Sequence, residues 1–129
     1  MKKILLFLIV VPLFTTSCSK EVDYGFPDKV RFTKEGGELI LTGETWVGRI
    51  AIRDYDGNEE SDDCDWRSNE DTSITVTYGW LTVYSPHYQS RKLQLKVEPN
   101  PKSKRRKLYI SLNEGLGPDY TDITVIQDK

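Results

Sequence analysis

The chain has 129 residues, with 18 basic and 20 acidic side chains and a formal net charge of -2. That balance excludes the concentrated basic surface of a nucleic-acid binder, and the length allows one domain with its own core. A single histidine and two cysteines form no local metal-ligand or nucleophile motif, so the reading is of a protein that is not an enzyme and needs no cofactor.

The first element is an export signal. Met1-Lys2-Lys3 precedes an apolar run from Ile4 to Phe14, the charged and greasy halves of a secretory leader. A spanning helix needs roughly 20 apolar residues, and this run is too short and contains Pro12. Thr16-Ser17-Cys18 then resembles the lipobox of bacterial lipoproteins, although Thr15 stands where the pattern usually has Leu. The resemblance implies cleavage after residue 17 and lipidation of Cys18. Acyl chains bury methylenes at about 0.8 kcal/mol each, and two or more make a stable membrane anchor. With Cys18 consumed, Cys64 has no disulfide partner. Its acidic neighbours Asp62, Asp63 and Asp65 also disfavour the thiolate.

Residues 18–28 are polar, with Gly25 and Pro27, and read as a tether into a domain over 29–129. From there apolar residues recur with period two, the mark of half-buried strands. The pairs and triplets are Val30/Phe32, Leu39/Leu41, Trp46/Ile50/Ile52, Ile74/Val76/Tyr78, Leu81/Val83, Leu93/Leu95/Val97, Leu108/Ile110/Leu112 and Ile123/Val125. Short alternating segments joined by Gly, Pro and Asn predict an all-β antiparallel sandwich of about seven or eight strands. Trp46 and Trp80 are expected in the core. Residues 54–71 are acid-rich with Arg67 as their one base, and are expected to be a solvated loop. Asp54-x-Asp56-Gly57-Asn58-x-Glu60 resembles a calcium loop in composition, but its glycine falls too early for an EF-hand, so no metal site is assigned. Lys102, Lys104, Arg105, Arg106 and Lys107 read as an exposed basic turn guarding a sheet edge, with a polyanion site as the alternative.

Several motifs resemble the BACON-type domain, an immunoglobulin-like module of Bacteroidetes associated with carbohydrate-active proteins. They are Phe32 with Glu35-Gly36-Gly37, Trp80-Leu81-Thr82-Val83 before Ser85-Pro86, Val97-x-x-Asn100, Arg106-x-x-x-Ile110, and Ile123-Thr124-Val125-Ile126-Gln127. Order and spacing agree over roughly residues 30 to 127. The likeness implies an immunoglobulin-like sandwich and a link to glycans. His87-Tyr88 replaces the glycine that commonly follows Ser-Pro, and the acidic stretch lengthens a connection that is usually shorter.

Sugar-binding modules stack exposed aromatic rings on pyranose faces while amides and charged groups take the hydroxyls. Two places have that composition: Trp66 with Arg67 and Asn69, and the turn of Tyr84, His87 and Tyr88. The sequence therefore supports two readings. One is a lipid-anchored envelope lipoprotein whose module binds glycan or mucin. The other is a spacer or subunit of a surface complex, with an envelope protein as partner and no carbohydrate ligand. Either is expected at the outer membrane, facing the periplasm or the exterior.

Overall fold

The computed structural model describes residues 22–63, 73–87, 90–114 and 119–129. Nine strands build it: β1 (Lys29–Phe32), β2 (Gly37–Thr42), β3 (Arg49–Arg53), β4 (Glu59–Asp63), β5 (Ile74–Tyr78), β6 (Leu81–Ser85), β7 (Lys92–Val97), β8 (Arg106–Asn113) and β9 (Thr121–Gln127). They form a five-stranded sheet in the order β1-β9-β8-β3-β4 and a four-stranded sheet in the order β2-β7-β6-β5. All pairs are antiparallel except β1 with β9, which run parallel.

The predicted alternation decides which face of each strand is inside. Leu81, Val83, Leu93 and Leu95 from one sheet are fully buried, as are Ile50, Ile52, Ile110, Leu112, Ile123 and Val125 from the other. The two inner faces form one core, as expected for stacked sheets about 10 Å apart.

Three expectations fail, each for a physical reason. The acidic stretch is not loop throughout: residues 59–63 form β4, a ninth strand with all five residues exposed. An edge strand needs only a backbone ladder on one side, and β3 supplies it from Arg49↔Asp63 to Arg53↔Glu59. Arg49 secures the pairing through Nε to Asp63 Oδ1 at 2.9 Å and a bond to Ser61 Oγ at 3.0 Å. Trp46 is half-buried rather than in the core. It precedes β3 outside the pleat, so strand parity does not extend to it, and Val47 takes the fully buried position. Finally, the described part of the expected tether, residues 22–28, packs onto the sandwich. Tyr24 and Phe26 are buried in the core. Glu44 N–H donates to Tyr24 C=O at 2.7 Å, and Val22 N–H donates to Tyr120 C=O at 2.8 Å.

The two ends of the sandwich differ. One end gathers residues 22–28, the β2–β3 connection and residues 90–91, tied by Gly43 N–H to Arg91 C=O and Val47 N–H to Ser90 C=O. The opposite end gathers the β1–β2 turn, the 54–58 turn, the β5–β6 turn and the β7–β8 connection.

Candidate functional site

The residues that carry the BACON resemblance meet at that second end, where the interior holds them. Arg106 lies over the Trp80 ring, 4.7 Å from its centroid. Its Nε donates to Gln127 Oε1 at 2.7 Å, and another nitrogen reaches the carbonyls of Glu98 and Pro99. Gln127 Nε2 donates to the carbonyls of Thr33, Lys34 and Glu98. Buried Asn100 donates to the carbonyls of Lys104 and Asp128 and accepts from Lys102 N–H. Trp80 is half-buried against the core rather than within it. Burial lowers the guanidinium pKa of Arg106, which the Glu98 carboxylate partly opposes. These side chains spend their polar groups joining the two sheets, so they form a structural clasp.

The calcium-like segment is closed in the same way. Asp54 Oδ1 accepts the N–H groups of Asp56 and Asn58, and Oδ2 accepts from Asn58 Nδ2 and, at 2.7 Å, from the Tyr78 hydroxyl. The Tyr78 bond is the main cause of an Asp54 pKa below the usual carboxylate range, and it raises that of Tyr78. Among the described residues no group of three or more His, Cys, Asp or Glu side chains could hold a metal. The turn leaves Tyr55 84% exposed at its tip, an aromatic whose sequence neighbours have the composition of a cation loop rather than of a sugar platform.

Of the predicted binding residues, Trp66, Arg67, Asn69 and Tyr88 lie outside the described residues, as do Cys18 and Cys64. Tyr84 and His87 are described and belong to one surface. Tyr84 alternates with buried Val83 and Ser85 on β6 and so points from the outer face of the four-stranded sheet, half-buried. Cross-strand pairing sets it in a row: Thr75 on β5, Tyr84, Gln94 on β7 and Ile40 on β2. The next row is Thr77, Thr82, Lys96 and Glu38. Thr77 and Thr82 share a hydroxyl hydrogen bond at 3.0 Å, and Gln94 Nε2 donates to Glu38 Oε1 at 3.0 Å. Ile40, 63% exposed, ends the Tyr84 row at the sheet edge.

Beyond Tyr84, toward the end where the chain enters, lies a depression of about 680 Å³ lined by Thr42, Pro86, His87, Ser90, Arg91 and Lys92. His87 is exposed on its rim, and its carbonyl accepts from Ser90 N–H at 3.1 Å, closing the turn. Thr42 pairs with Lys92, so the depression continues the sheet face. The face thus joins one flat ring to an amide, a carboxylate, several hydroxyls and three exposed basic groups. Gln94, Lys92 and Lys96 could be placed on one face of β7 from alternation alone, but their position beside Tyr84 depends on the β6–β7 pairing.

No protein-family model matches the chain, and no curated protein matches it. Among solved structures, a protein from Bacteroides thetaiotaomicron determined by NMR is similar at a TM-score of 0.50 and 13% identity, over 88% of this chain and 91% of that one. A Bacteroides ovatus GH5 xyloglucanase, in complex with a XXXG heptasaccharide, is similar at a TM-score of 0.44 and 13% identity. That match covers 78% of this chain and 17% of the xyloglucanase chain. What the chain shares with the Bacteroides thetaiotaomicron protein is the all-β fold.

Proposed function

We propose that this chain is a non-catalytic, lipid-anchored envelope module with a BACON-type, immunoglobulin-like sandwich, and that it binds glycan on the outer face of its four-stranded sheet. The observation that carries this reading is the row Thr75–Tyr84–Gln94–Ile40. A half-buried tyrosine on a flat sheet offers its ring to the C–H face of a sugar. The amide beside it donates and accepts, as vicinal hydroxyls require. Trp80, Asn100, Arg106 and Gln127 are engaged with one another and with nearby carbonyls, so they do not compete with this face for a ligand. The leader and Cys18 supply the anchor and the outer-membrane location.

A second reading, a spacer or subunit of a surface complex, draws on Ile40 and Leu39, exposed apolar residues on edge strand β2. Such an edge offers unpaired backbone groups to another strand.

A glycan array and a mucin pull-down with the full chain and its Tyr84→Ala and Gln94→Ala variants separate the two. Selective binding that both variants lose, with circular dichroism unchanged, is the expected result. Absence of binding to every glycan and mucin removes the carbohydrate reading and transfers its support to a protein partner.

A further inference from the structure

The rim of the Tyr84 face is cationic in a chain whose net charge is negative. No carboxylate is among the residues lining the depression beside it. Arg91 and Lys92 are exposed there and form no ion pair among the described residues. Their backbone is held firmly: Arg91 C=O accepts from Gly43 N–H at 2.8 Å, Ser90 C=O accepts from Val47 N–H at 3.2 Å, and Ser90 Oγ accepts from Lys92 N–H at 3.1 Å. These bonds fix where the two side chains leave the backbone, while each still gives up rotamer freedom when it takes a ligand.

Their placement relative to Tyr84 follows from the register. Tyr84 pairs with Gln94, and Lys92 stands two residues along β7. That makes Lys92 a diagonal neighbour of Tyr84, about 7–8 Å away by sheet geometry. The distance matches an acid group on the stacked sugar or on the next one. Glu38, a carboxylate on this face, is engaged by Gln94 Nε2 at the far side of the row. Lys96 continues the positive line along β7.

We propose that the ligand of this face is an anionic glycan, carboxylated or sulfated, whose acid group is held by Arg91 and Lys92 while a sugar ring rests on Tyr84. The proposal depends on the glycan reading above and adds the charge of the ligand. The basic β7–β8 connection, with Lys102 and Lys104 exposed at the opposite end, provides the control for diffuse attraction.

The test titrates the full chain with polygalacturonate, chondroitin sulfate and neutral galactan at physiological salt. It compares the parent with Arg91→Gln/Lys92→Gln, Lys102→Gln/Lys104→Gln and Tyr84→Ala, all at surface positions where circular dichroism can confirm the fold. The expected result is binding of at least one acidic polymer, weakened about tenfold or more by Arg91→Gln/Lys92→Gln as charge-assisted bonds are lost, and also weakened by Tyr84→Ala. Lys102→Gln/Lys104→Gln should change it less than about twofold, since distant exposed charges are screened. Which acidic polymer binds identifies the acid group. Galactan binding that needs Tyr84 but ignores Arg91 and Lys92 overturns the charge assignment and leaves the glycan reading standing. Equal loss in the two basic double variants reduces the effect to net charge and overturns the site. Silence from all three polymers and from the glycan array removes both readings.

Discussion

Gln127 shows how a polar residue can be read as a surface residue and yet be central to the interior. It is fully buried. Its amide makes four hydrogen bonds: three to carbonyls, two in the β1–β2 turn and one at Glu98, and one from Arg106. Leucine would fill similar space but leave those groups unpaired, and each buried polar group left unsatisfied costs about 1–3 kcal/mol. Gln127→Leu is therefore expected to lose about 3 kcal/mol or more in urea denaturation, among the larger effects of a single substitution. A loss below about 1 kcal/mol would mean that water replaces the lost bonds. Nothing in the local sequence marks Gln127, Asn100 or Arg106 as interior. Each is a polar residue near the end of a strand, and burial follows only once parallel β1–β9 pairing brings the 33–34 turn against the end of β9.

At the level of elements, alternation was a reliable guide wherever both faces of a strand have distinct environments. The buried sets of β5 to β8, and of β9 as far as Val125, fall where period two puts them, while Ile126 is buried out of that pattern. It could not identify β4, whose five exposed residues bear no apolar signal, because an edge pairing is made by backbone. It also missed the role of residues 22–28, where two aromatics in a polar, Gly- and Pro-containing segment suggested a linker. Gly43 explains how that segment packs: a Cβ there would stand 2.5 Å from the Phe26 ring, so the ring occupies the space the glycine leaves. Phe26→Ala is expected to cost about 3–5 kcal/mol, the usual range for a buried phenylalanine. Asp23→Ala, which removes only the exposed bond from Gly25 N–H to Asp23 Oδ1, should cost about 1 kcal/mol or less. Thermal or urea melts of the two variants decide it: equal stabilities would show that residues 22–28 are only a tether.

The whole molecule combines these features with the proposed anchor. Val22 is four residue steps beyond Cys18, a reach of at most about 14 Å for an extended chain. Val22 is already bonded to Tyr120 at one end of the sandwich. A lipid on Cys18 would therefore hold that end, with Gly43, Glu44 and Tyr120, close to the bilayer. The opposite end, with Tyr55 and the basic 98–105 connection, would point outward, about 27 Å further away by the length of an eight-residue strand such as β8. The Tyr84 face would stand beside the membrane normal and remain open to long polymers from the side. Sequence reading supplied the proposed anchor and the candidate ring, but the direction of the face required the topology. In a Cys64→Ser background, a fluorophore on Glu44→Cys should be quenched strongly by spin-labelled headgroups in vesicles carrying the lipidated chain. One on Ser103→Cys, beside Lys102 and Lys104, should be quenched weakly. Equal quenching at the two positions would show that the domain tumbles freely on its anchor, and that residues 22–28 do not orient it.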